Sequence, residues 1–314
     1  IDASLGPETA ERVTPWLDRY ASTWSDVQAR ACEAARVHGT WSDATLERAQ
    51  WCLDERRSQL RALVETLTGG GMPALVKGVH AAASLPAVEP CRERAVLERL
   101  PLPPTEEREQ IAQILAVLSR AAAQQRTGSY ERGLELASEA MDGALALGWP
   151  PLTAATRYQL GDLLFAAGRR ADAEKALEEA YFEARRAGAL EVAVDASTRL
   201  TDLVGSKQAR AADGLLWSRL AELARLDLGH PDPIQEASLA TAVSGILISE
   251  GDLAEAEVQL ERARVLLVET LGPEHPALDD ILNNIAILHS LMGEPTEARA
   301  MFERVVAIRT QVLG

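Results

Sequence analysis

The side chains able to do chemistry are few and scattered. Five histidines, His38, His80, His230, His275 and His289, and three cysteines, Cys32, Cys52 and Cys91, occur without any HxxxH, HExxH or CxxC spacing. A zinc site or a cysteine–histidine nucleophile needs several such groups converging on one point. No metal site, catalytic residue or cofactor is therefore expected. The acidic neighbours Glu178 and Glu179, or Asp279 and Asp280, would point about 100° apart on a helix, which suits solvated surface rather than acid–base work. The run Gly69 to Gly71, followed by Pro73, comes after no strand and lacks the lysine of a phosphate-binding loop, so it reads as a hinge. Neither an HRD catalytic loop nor a DFG motif is present.

With so little chemistry, the chain is better understood from the elements that would position it. It has 314 residues, 47% of them hydrophobic but only 4% aromatic, and no segment alternates in the manner of a strand. An all-α reading follows, and the length suits an extended array better than one compact bundle. The net charge is −15, carried mostly by residues 101–314, which hold 33 acidic and 20 basic side chains. Such a surface repels nucleic acid and anionic lipid, while a basic or polar peptide would be tolerated. No apolar run approaches the roughly 20 residues of a membrane span, so direct membrane binding is not expected.

One pattern is written twice, 42 residues apart: GDLAEAEVQLERARVLL from Gly251 and GEPTEARAMFERVVAI from Gly293. Counted backwards, the small residue inside each second helix falls at Gly133, Ala173, Gly214, Ala256 and Ala298. Seven positions on lie Ala140, Ala180, Ala221, Ala263 and Val305. Five helical pairs are expected over 105–314, with turn glycines at 128, 168, 251 and 293. The third pair departs, reading VGSKQ from Val204 to Gln208, so its first helix is expected to end early or irregularly. Gly229 or Gly272 would end a helix, and Pro231 or Pro276 would sit near the start of the next. The pattern resembles the tetratricopeptide repeat, helix A then helix B, in the longer form found in kinesin light chains. The expectation is a right-handed superhelical solenoid.

Residues 1–100 form a different region. Trp16, Tyr20, Trp24, Val27 and Ala31 make one apolar stripe over a helix from 8 to 38. A second helix runs from Ser42, its N-cap, to Thr68, with Leu46, Ala49, Leu53, Leu60, Leu63 and Leu67 inward. The short link makes this an antiparallel hairpin and a cap for one end of the array. The tryptophans at 16, 24, 41 and 51 suit core packing, with an aromatic cage for a cation or a nucleobase as the sharper alternative. Short helices at 74–85 and 91–100 lead to Pro101, Pro103 and Pro104, which mark the boundary.

The succession WLDRYASTW, ACEAARVHG, WCLDERRSQLRALVETL and AAASLPAVEPC resembles the segment preceding kinesin-light-chain-like repeats in bacterial Hanks-type serine/threonine kinases. The resemblance implies a sensor or interaction region, non-catalytic itself and extracytoplasmic, attached to a membrane-anchored kinase. A chain that begins at Ile1 and stops at Gly314, 42 positions after Gly272, fits a piece of such a parent. A cytoplasmic scaffold or self-association module is the second reading. Cys32 and Cys52 lie level in the hairpin, where they would form either a disulfide or two buried thiols, and Cys91 competes for either partner.

The family's groove positions, carried onto this chain, are Tyr158, Gln159, Asp162 and Phe165 in the second pair. In the fourth they are Thr241, Gly245 and Ile248, and in the fifth Asn283, Asn284 and Ile287. Asn amides both donate and accept, which suits the backbone of an extended peptide or, for Asn284, a bond within its own hairpin, and Phe165 and Ile248 offer apolar pockets. A protein or peptide ligand is the expected partner.

Overall fold

A computed structural model describes residues 5–69, 71–230 and 232–313; Ile1, Gly70, Pro231 and Gly314 lie outside them. No strand occurs among the described residues. The chain opens with α1 (Leu5–Arg36) and α2 (Asp43–Gly69), an antiparallel hairpin, followed by α3 (Met72–Ala83). The Ser42 hydroxyl accepts from the Thr45 N–H at 3.1 Å, capping α2. Val27 and Ala31 are fully enclosed against Leu46, Ala49 and Leu53, while the Trp24 indole donates to the Leu53 carbonyl at 2.8 Å. The 91–100 helix is replaced by a 3₁₀ turn, Glu89–Arg92, and one turn of helix, α4 (Arg94–Leu97). Pro90 fits the second position of the earlier turn, and Glu93, in an extended conformation, separates the two.

Five hairpins follow: α5 (Arg108–Arg126) with α6 (Tyr130–Leu147), α7 (Pro150–Ala166) with α8 (Arg170–Ala187), and α9 (Leu190–Leu200) with α10 (Ala211–Leu228). The last two pair α11 (Pro233–Glu250) with α12 (Leu253–Leu271), and α13 (Leu278–Met292) with α14 (Pro295–Leu313). Gly128, Gly168, Gly251 and Gly293 turn the first, second, fourth and fifth hairpins at positive φ, between +76° and +85°. Pro233 begins α11, where the Asp232 carboxylate accepts from the N–H groups of Ile234 and Gln235.

The third hairpin solves its turn differently. Helix α9 does not stop early but widens into a π-helical segment, Thr201–Lys207, and Ala209 takes the left-handed conformation at φ +56°. The wider coil sets Gly205 directly against Gly214 of α10, with Ile246 of α11 filling the remaining space. Three helices meet where no Cβ fits. The other small residues act the same way: Ala173, Ala256 and Ala263 are completely buried, and a Cβ on Gly161 would strike Leu177.

The N-terminal region does more than cover one end. Helix α2 packs along α5, and α3 reaches α14 at the far end of the array. Between them the Trp16 ring meets His275, in the α12–α13 linker, edge to face at 5.1 Å. His275 is buried, and its Nδ1 accepts from the Ala277 N–H. Burial, with His80 and Arg19 nearby, lowers its pKa to about 4 and keeps the ring neutral. The outer face beside α14 stays apolar, exposing Phe302 and Val306.

Cys32 and Cys52 form neither a disulfide with each other nor a pair of buried thiols; the competing Cys91 takes Cys52. Cys52 bonds to Cys91, with Cα atoms 5.5 Å apart, and Cys32 is an exposed free thiol. Cys32 follows the inward-facing Ala31 by one residue, so it points about 100° away from α2. Cys91 is fully enclosed in the 3₁₀ turn that packs on α2. Alkylation without reductant should therefore label one thiol, and after reduction three. Cys91→Ser should cost about 3 kcal/mol in chemical denaturation, because the bond closes a loop of 39 residues. Gly214→Ala should be destabilising by about 2–3 kcal/mol by the same measurement, whereas alanine normally stabilises a helix.

Candidate functional site

The first helices of the hairpins line a concave wall. Helices α7, α9, α11 and α13 enclose a cavity of about 540 Å³, into which Tyr158, Thr241, Gly245, Ile248, Asn283 and Asn284 all face. These six come from three separate hairpins and are brought together only by stacking. The other four do not join them. Gln159 donates to the Gln125 side chain, whose own amide donates to Asp162 at 2.8 Å. Asp162 also pairs with Arg199 at 2.5 Å, and the Arg199 guanidinium lies over the Phe165 ring at 5.1 Å. Gln159, Asp162 and Phe165 thus brace the neighbouring part of the wall. Ile287 is half exposed at the last hairpin, away from the cavity.

The third hairpin supplies what sequence reasoning missed. Asp195, Thr198, Arg199 and Asp202 line the cavity from α9 and its π-helical continuation, and Gln235 and Asp280 line it from α11 and α13. A signal was available. Asp195, Arg199 and Asp202 recur at spacings of four and three, a polar stripe on one helical face. The irregular VGSKQ end of that helix hid its register.

Charge in the groove is uneven. Asp162 holds Arg199 firmly in its charged form, and burial pushes the Tyr158 phenol well above its usual range. Lys207 lies 3.5 Å from Asp202. Asp195 has no cation of its own. Its Oδ1 accepts from the Gln235 amide at 2.9 Å, yet burial first, and then the Glu191 carboxylate, raise its pKa from 3.8 to about 7. No group of three or more histidine, cysteine or acidic side chains able to hold a metal ion occurs among the described residues. No described helix is long and apolar enough to cross a membrane.

Stacked helical hairpins with a groove along their first helices define an α-solenoid of the tetratricopeptide type, right-handed and superhelical. Within it, residues 235–311 match the family described as tetratricopeptide repeat. Among solved structures, BtubC (BKLC) from P. vanneervenii is similar at 20% identity with a TM-score of 0.53, covering 70% of this chain and 89% of its own. A Rap protein complexed with Competence and Sporulation Factor is similar at 13% identity and the same TM-score, covering 98% of this chain and 99% of its own. A kinesin light chain of nearly identical repeats from Podospora anserina matches at 17% identity with a TM-score of 0.46, over 66% of this chain and 95% of its own. No curated protein matches the chain.

The Asp195 carboxyl makes stability depend on pH. Its folded-state pKa lies above the unfolded one, so its contribution is greatest below pH 4 and is lost as pH rises through about 7. Asp195→Asn keeps the acceptor for Gln235 and removes the titration. The variant should be about 1–2 kcal/mol more stable than wild type at pH 8, with the advantage shrinking steadily toward pH 4. Parallel stability–pH curves for the two proteins would show that the carboxyl is not held this way.

Proposed function

We propose that the chain is a non-catalytic binding module whose concave groove takes an extended segment of a protein or peptide. The observation that carries this reading is the 540 Å³ cavity across α7, α9, α11 and α13, where the side chains of Asn283 and Asn284 make no hydrogen bond within the described residues. An extended backbone presents alternating donors and acceptors, which such amides satisfy. The similar Rap structure, complexed with Competence and Sporulation Factor, supports a binding role for this arrangement.

The parent proposed for the module is a membrane-anchored serine/threonine kinase, with this region as its extracytoplasmic sensor. The proposal rests on the sequence resemblance of the N-terminal segments and on the Cys52–Cys91 bond, of a kind that persists in oxidising compartments. A scaffold that associates through its last hairpin is the second reading, favoured by the exposed Phe302, Val306 and Leu291. Peptides selected on the full chain from a random heptapeptide display library should bind the Asn283→Ala/Asn284→Ala double variant about 10-fold or more weakly in calorimetry. Undiminished affinity, with helicity unchanged, would remove the groove as the binding site.

A further inference from the structure

The groove's cations each face a carboxylate, while two of its carboxylates, Asp195 and Asp280, face no cation among the described residues. Arg199 is held between Asp162 and Phe165, and Lys207 faces Asp202. On the other side Asp195 has one amide for a partner. Next to it, Gln235 Oε1 and Thr198 Oγ1 make no hydrogen bond within the described residues. Asp280, on the opposite wall of the same cavity, makes no ion pair among the described residues. A buried acceptor without a donor costs about 1–3 kcal/mol, and a carboxylate costs more.

The complement of two such carboxylates is a group with several N–H donors and a positive charge. Resting on the groove being the binding site, we infer that its ligand carries an arginine or lysine side chain that seats on Asp195. Gln235 and Thr198 line the cavity beside it, while the ligand backbone runs on toward Asn283 and Asn284. A planar guanidinium can reach a carboxylate and an amide oxygen at once. The ring of Tyr158 lines the same cavity and gives the stem of such a side chain an apolar surface. The two nearest cations do not compete, because Asp162 and Asp202 already hold them. The charge of the surroundings points the same way: Glu191, Asp232 and Asp162 all act on Asp195 with negative sign.

The heptapeptides selected on the full chain serve as probes. Those that bind should share an arginine or lysine at one position. Replacing it with citrulline or norleucine should weaken binding about 10- to 100-fold in wild type and change little in Asp195→Asn, so that the two losses do not add. Peptides without a basic residue that depend on Asn284 but not on Asp195 would overturn the cationic seat and leave the groove standing. Peptides indifferent to both residues, or no enrichment at all, would remove the groove and this inference together.

Discussion

Close approach between helix backbones is the constraint on which the rest of the structure depends. Each hairpin buries a residue too small to hold its neighbour away: Gly133, Ala173, Gly214, Ala256 and Ala298. Only then do the first helices lie near enough, and parallel enough, to share one wall. Where the chain uses glycine on both sides, at 205 and 214, the contact is tightest, and a π-helical segment supplies the geometry. The groove is thus a by-product of packing between hairpins. Its polar side chains ride on helices already fixed from behind.

Most of the array could be read from spacing, because a repeat writes the same physical demand five times. Ala256 and Ala298, Gly251 and Gly293 announce their helices without any knowledge of the fold. What happens once was harder to read. The Cys52–Cys91 pairing depends on the direction of one side chain in a proline-shaped turn, and no periodicity reports that. The groove was half legible: Tyr158, Thr241, Gly245, Ile248, Asn283 and Asn284 share the cavity, while Asp195 and Gln235 were hidden by the irregular hairpin between them. Phe165 and Asp162 lie on the expected helix but are drawn aside by Arg199, a partner two helices further along the chain.

The electrostatics separate outside from inside. The surface carries the excess of the −15 charge, much of it in exposed pairs such as Arg299 with Glu303, which contribute little to stability. Inside the groove, fewer charges matter more, since lower solvation strengthens each interaction and raises the cost of each unmatched group. Arg157, held by both Glu179 and Glu183, shows a matched site that ties one helix of a hairpin to the other. Asp195 shows an unmatched one.

The meeting of Trp16 with His275 changes what kind of object the array is. An open row of repeats can fray from either tip, and each lost unit leaves the others nearly untouched. Here the early helices brace the late ones, so the row is fastened into a loop and its tips no longer loosen independently. During synthesis the surface around Trp16 is made well before that around His275, and neither is covered until both are present. Folding of the N-terminal hairpin is therefore tied to the fourth and fifth helical pairs, giving a long-range cooperativity that nearest-neighbour stacking alone would not supply.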